Sequence, residues 1–293
     1  MGRLAFLVVA LVVIGWAAIP AARAATLVAC AHDAPSGSTA SIAPAENVRF
    51  PASDGVQLSG WYAGAEDPSA RGTVILVHGF KSSRSEMLDW ATYLRREHYA
   101  VVLFDSRGCG QSDGVFGVSA TEPRDIVGAA AYVRSRGAAG SDRIAVLGLS
   151  LGAGDAILAA AASPDIHAVI ADSAWTDQRY RLEQMRAVEL ASVRVPVLPY
   201  ETALLDRLVG ARLEDARPID VVGRLAPRPL LLIHGLEDSN ATTTIEGAKA
   251  LFTAAGEPKE LWLVPGADHA GAIRVAPAEY RARTLAFLAA NLR

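Results

Sequence analysis

From residue 47 onward, short and uniformly apolar runs alternate with stretches in which apolar positions recur every three or four residues. The runs 73–77, 100–104, 143–147, 168–171, 230–233 and 260–264 predict strands buried on both faces. Between them, 85–97 puts Met87, Trp90, Ala91 and Leu94 on one helical face, and 122–136, the stretch after Ser150, 243–255 and 277–291 have the same spacing. Apolar strands alternating with helices predict an α/β fold, a mostly parallel twisted sheet with helices on both faces. An antiparallel pair opens it, because 47–52 and 56–63 flank Asp54-Gly55, a dipeptide suited to a hairpin turn.

The rhythm breaks once. About fifty residues separate the strand ending near Ala171 from the one starting near Leu230, far more than a connecting loop needs. Residues 176–190 are polar and helix-prone, and 193–199 are apolar and interrupted by proline. A small helical lid inserted over about 175–227 is expected, within one domain spanning 46–293.

The N-terminus follows a different pattern. A single basic residue, Arg3, precedes an uncharged apolar run over 4–19, then small residues and Pro20. That is the layout of a secretory signal, with Ala22-Arg23-Ala24 as a candidate cleavage site, and an uncleaved anchor is the alternative. Leu27-Val28-Ala29-Cys30 resembles a bacterial lipobox, in which the cysteine would carry a lipid, although Arg23 separates it from the apolar run. Residues 1–30 therefore read as a signal or lipoprotein signal, and 31–45, rich in Ala, Ser, Pro and Gly, as a linker. The expected location is exported: periplasmic, extracellular or membrane-anchored, through the N-terminal segment or a lipid on Cys30.

Composition narrows the function. The chain has 293 residues, 51% of them hydrophobic, enough for a large core. With 20% charged residues and a formal net charge of -3, it lacks the basic footprint of a nucleic-acid binder. Its two cysteines, Cys30 and Cys109, sit in no metal-ligand spacing, and their pairing is allowed in an oxidising compartment without being demanded. No metal or organic cofactor is implied.

Gly148-Leu149-Ser150-Leu151-Gly152 is a G-x-S-x-G sequence between a predicted strand and a predicted helix, the setting of a nucleophile elbow. A serine on so tight a turn leaves no room for side chains two positions away, and the Leu151 N–H at the helix start can face an oxyanion. Alone, the pentapeptide is also compatible with a Gly/Ser turn. A nucleophilic serine needs a base and an orienting acid, and Asp238 and His269 follow the next two strands in the order Ser, Asp, His. Asp172, after the strand that follows the elbow, is the rival acid. The second oxyanion donor is expected from the loop His78-Gly79-Phe80-Lys81.

Five ordered motifs carry a family resemblance: His78-Gly79-Phe80, the D-x-R-G-x-G-x-S stretch from Asp105 to Ser112, the elbow, His234-Gly235-x-x-Asp238 and Asp268-His269. From about residue 46 the chain resembles α/β-hydrolase-fold serine hydrolases, and is similar to the small serine-aminopeptidase-like and Bem46-like members. The resemblance implies Ser150, Asp238 and His269 as catalytic triad and the Phe80 and Leu151 amides as oxyanion hole. It implies that His78 and His234 shape their loops.

Asp105 and Arg107 are expected to brace their loop, Cys109 to fill a small space, and Glu237 and Asp268 to be solvated carboxylates. Trp175, Tyr180, Met185, Leu198 and Tyr200 are candidates for an acyl pocket, with lid packing as the equal alternative. The expected activity is hydrolysis of a small carboxylic ester through an acyl-enzyme. A peptidase or amidase on short peptides is the runner-up, and a non-catalytic binding protein on the same fold is the rival from another class.

Overall fold

The computed structural model describes residues 2–32, 39–65, 70–178, 187–190, 192–196 and 198–292. Its strands are β1 (Glu46–Pro51), β2 (Gln57–Ala63), β3 (Gly72–Val77), β4 (Tyr99–Phe104), β5 (Ile144–Leu149), β6 (Ala168–Asp172), β7 (Ala187–Leu190), β8 (Val193–Pro196), β9 (Leu230–Gly235) and β10 (Lys259–Val264). The helices that matter here are α1 (Gly2–Val28), α2 (Leu88–Arg96), α3 (Pro123–Ser135), α4 (Leu151–Ala162), α5 (Glu201–Val209), α6 (Ile245–Ala254) and α7 (Pro277–Asn291).

Within each central strand the side chains divide by parity, as the two-residue period of a strand requires. On one face Ile75, Val102, Val146 and Leu232 pack with Ile126 and Val133 of α3, Ile157 of α4 and Leu251 of α6. On the other, Leu76, Leu103, Leu147 and Ile233 pack with Trp90 and Leu94 of α2 and Tyr280 and Phe287 of α7. Two buried layers explain why β3, β4 and β5 read as unbroken apolar runs: every residue in them is buried.

Eight strands form one sheet in the order β1-β2-β4-β3-β5-β6-β9-β10. β1 pairs antiparallel with β2, and β2 with β4; every pairing from β4 to β10 is parallel. The loops after β3, β5, β6, β9 and β10 therefore emerge at one edge, where residues distant in sequence can meet.

Two features depart from the sequence reading, and a third decides a pairing that it left open. The end of the linker is packed, with Ile42 fully buried in the second core layer. In the lid, Ala187–Leu190 is a strand, not a continuation of a helix, and pairs antiparallel with β8 from Ala187↔Pro196 to Leu190↔Val193. The β-branched residues Val193 and Val195 suit a strand pair, and Ser192 takes a left-handed φ of 68° at the turn. Among the described residues the insertion is thus a hairpin followed by α5 and short turns. Third, Cys30 and Cys109 form a disulfide, with 5.0 Å between Cα atoms. Cys109 thus does more than fill space, and a sulfur committed to this bond cannot carry the lipid that a lipobox would place on Cys30.

Candidate active site

β5 ends at Leu149, and Ser150 turns the chain into α4 with φ 53° and ψ -112°. Backbone of this kind is strained for any residue with a Cβ, typically by about 1–3 kcal/mol, and is held only where its surroundings leave no alternative. Here Ser150 N–H donates to the Asp172 carbonyl at 2.8 Å, which ties the turn to β6. A Cβ at Gly148 would lie 2.1 Å from the Gly152 carbonyl oxygen, and one at Gly152 would lie 2.6 Å from that of His78. Both glycines are therefore steric necessities of the elbow.

His269 Nε2 lies 2.8 Å from Ser150 Oγ, and His269 Nδ1 lies 2.9 Å from Asp238 Oδ2. The proton assignment follows from the chain of partners: Nδ1–H donates to the carboxylate, so Nε2 is left to accept from the serine hydroxyl. Asp238 reaches this place because Leu236 and Glu237, just past β9, donate backbone N–H groups to Val264 and Ala267 around the end of β10. Its second oxygen accepts the Asn240 N–H at 2.8 Å. Burial pushes the Asp238 carboxyl pKa up, but the bonds from His269 and Asn240 outweigh it and hold the group below its ordinary value, hence ionised.

Thr243 was not singled out by sequence reasoning, yet its Oγ1 lies 3.2 Å from Asp238 Oδ2 and 3.0 Å from His269 Nδ1. The hydroxyl-rich run Thr242-Thr243-Thr244, close behind the acid, was the available signal. Ser173, also missed, accepts the Ala270 N–H on Oγ at 3.0 Å and so fixes the residue after His269.

The loop after β3 meets this group from the other side. A Cβ at Gly79 would stand 3.6 Å from that of Ser150, and the Gly79 N–H is drawn to Glu86 Oε2 at 2.7 Å. A cleft of about 470 Å³ is lined by Phe80, Glu86, Trp90, Ser150, His269 and Ile273, among others. Leu151 is the first residue of α4, where backbone N–H groups have no partner within the helix. The β3 loop and the N-terminus of α4 thus flank one hydroxyl with an aligned imidazole, an arrangement suited to acyl transfer.

Residues 68–209 match the family model described as serine aminopeptidase, S33. YfhR of Salmonella typhimurium is 31% identical over 234 residues, covering 78% of this chain and 75% of that protein. The chain belongs to the serine-aminopeptidase-like α/β hydrolases. Among solved structures, the Pyrococcus furiosus esterase Pf2001 superposes with a TM-score of 0.72 at 24% identity, over 90% of this chain and all of that one. The α/β hydrolase GrgF from a Penicillium species superposes with a TM-score of 0.67 at 21% identity, over 85% of this chain and 99% of its own. These two likenesses speak for the fold.

In this α/β hydrolase the remaining candidates take supporting places. His78 is buried; its Nε2 accepts from the Ser106 N–H at 3.0 Å, so Nδ1–H donates to the Gly79 carbonyl at 2.8 Å. Both ring nitrogens are thereby committed to joining two loops. His234 is fully buried, and its Nε2 stands 3.6 Å from Asp238 Oδ2, too far for a hydrogen bond. Burial lowers its pKa despite the nearby carboxylate, so it sits neutral behind Asp238.

Asp172 makes no hydrogen bond to His269; Ser173 Oγ donates to its Oδ1 at 3.1 Å, and burial raises its pKa to about 6. Asp105 braces the next loop by accepting from the N–H groups of Arg84 and Gln111. Arg107 reaches Asp125 at 2.6 Å and Asp54 at 2.8 Å, and that contact holds the Asp54 pKa at about 2. Asp268 is an exposed partner of Arg274 at 2.7 Å.

Of the acyl-pocket candidates, Trp175 is buried behind the elbow, where its indole N–H donates to the Leu151 carbonyl at 3.0 Å. Tyr200 hydroxyl donates to the Ala17 carbonyl of α1. Neither lines the cleft, and Leu198 is likewise outside it among the described residues. Tyr180 and Met185 lie outside the described residues.

Proposed function

We propose that this hydrolase cleaves carboxylic esters through a covalent acyl-enzyme. The carrying observation is the unbroken chain Ser150 Oγ to His269 Nε2 to Asp238, with links of 2.8 and 2.9 Å. His269 Nε2 takes the Ser150 proton as Oγ attacks the ester carbonyl carbon. The Phe80 and Leu151 amides hold the negative charge that forms on the carbonyl oxygen. Collapse of the tetrahedral species expels the alkoxide, which receives the proton from His269. Water, deprotonated by the same imidazole, then attacks the acyl carbon and restores Ser150. Asp238 keeps the imidazole in the required tautomer and stabilises its cationic form.

Export accords with the apolar N-terminal run and with a disulfide, a bond that persists in oxidising compartments. The esterase named among the structural neighbours supports the ester reading. A second reading, an amidase acting on short peptides, is favoured by the family model's own description. A panel of p-nitrophenyl esters of increasing acyl length, set beside aminoacyl p-nitroanilides, separates them. The expected result is ester turnover exceeding anilide turnover on matched acyl groups. Faster anilide cleavage contradicts the ester reading, and a folded chain inert to both contradicts hydrolysis at this site.

A further inference from the structure

α1 divides into two halves of different character. Phe6, Leu7, Val9 and the run from Leu11 to Ile14 have exposed apolar side chains, Phe6 at 73% and Leu11 at 68%. Residues 4–22 carry no charge, and those up to Gly15, ahead of the Trp16 contact with β8, extend roughly 18 Å in a helix, over half of the ~30 Å hydrocarbon core of a bilayer. An exposed apolar surface of this size is unfavourable in water.

The other half is built into the enzyme. Trp16 Nε1 donates to the Pro196 carbonyl of β8 at 2.9 Å, and Arg23 Nε pairs with Glu201 of α5 at 3.1 Å. The Glu201 side chain is only 5% exposed, so removal of Arg23 leaves a buried carboxylate without its counter-charge. Ala24 is fully buried in a cluster with Cys109, Phe116, Leu151 and Leu205. Lys81, next to Phe80, donates to the Thr26 carbonyl, and the Ala31 carbonyl accepts from Gly110 N–H at 2.8 Å. The Cys30–Cys109 bond closes this attachment. Cleavage after Ala24 discards Arg23 and Ala24, while lipidation at Cys30 competes for the disulfide sulfur. Neither leaves this base intact.

We propose that α1 stays on the working enzyme as a bilayer-inserted stalk whose base is docked on the insertion between β6 and β9 and stapled by Cys30–Cys109, so that this side faces a lipid surface. The insertion adds exposed apolar side chains of its own, Val193, Leu208 and Tyr200, the last bonded to the Ala17 carbonyl of α1. Amphiphilic esters dissolved in the bilayer are the substrates this placement favours. That substrate class rests on the ester reading above; retention of the stalk does not.

The test uses the full chain produced in an exporting bacterial host. Intact mass spectrometry is expected to find residues 1–293, with or without Met1, carrying one disulfide and no lipid. The purified chain is expected to float with phosphatidylcholine vesicles. Val13→Arg, on the exposed half of α1, is expected to lower the floating fraction about a hundredfold while p-nitrophenyl acetate hydrolysis is unchanged. A mature chain beginning at Ala25, a lipid on Cys30, or Val13→Arg protein that floats like the parent overturns the proposal. So does α1-dependent dimerisation without flotation. Reaction of Ser150 with a fluorophosphonate, measured on the same preparations, reports separately on the hydrolase reading.

Discussion

Ser150→Ala lowers kcat on p-nitrophenyl esters by roughly 10⁵- to 10⁶-fold, the scale seen when a nucleophile that acts together with its base is removed. The change deletes one oxygen and leaves the surroundings in place. Ser150 N–H still reaches the Asp172 carbonyl, and the clearances at Gly148 and Gly152 are untouched. Alanine has the same Cβ as serine, so the strain at φ 53° is neither relieved nor increased. Thermal unfolding is therefore expected within a few degrees of the parent, a shift of order 1 kcal/mol or less. Steady-state hydrolysis paired with a melting curve checks both halves; full activity in the folded variant excludes Ser150 as the nucleophile.

Asp238→Asn and Asp172→Asn are expected to separate sharply. At Asp238 the substitution removes the acceptor for His269 Nδ1–H, and the imidazole loses both its tautomer and the charge that stabilises its protonated form. A drop in kcat of about 10⁴-fold is expected. At Asp172 the catalytic contact is the backbone carbonyl, which asparagine keeps, so kcat stays within about tenfold of the parent.

The two differ in stability as well. Burial raises the Asp172 pKa from 3.8 to about 6, so the folded chain holds this proton more tightly than the unfolded chain. Its contribution to stability is full below pH 3.8 and is lost as pH rises through about 6, a change of at most about 3 kcal/mol. Asparagine cannot ionise, so the melting temperature of Asp172→Asn relative to the parent should rise between pH 4 and pH 8. Loss of activity in Asp172→Asn equal to that in Asp238→Asn would make Asp172 the orienting acid.

The sheet was legible in the chain because its central strands are buried on both faces; such strands leave apolar runs that nothing on the surface imitates. Helix α7 was readable to its ends because Pro277 opens it and Tyr280, Phe287 and Leu288 recur at helical spacing. The meeting of Ser150, Asp238 and His269 was legible for a related reason: loops at the carboxyl edge of a parallel sheet converge, so strand positions foretell which polar residues meet.

The insertion was legible in place and length but its hairpin was not, since two four-residue strands outside the main sheet give local pattern little to register. Thr243 escaped notice because a hydroxyl beside a carboxylate also serves as a turn residue. The N-terminal half-helix was legible as apolar, but its docked base was not. Arg23 reads as a signal-sequence boundary until Glu201, far along the chain, is seen beside it. The same holds for Cys30 and Cys109, separated by 79 residues.

We propose Ser150 as a nucleophile activated by His269. The most direct measurement is peptide mass spectrometry after treatment with a fluorophosphonate, comparing the parent with His269→Ala. One modified peptide is expected in the parent, phosphonylated on Ser150, and little or none in the variant. A parent modified elsewhere, left unmodified, or modified equally without His269 would contradict the proposal.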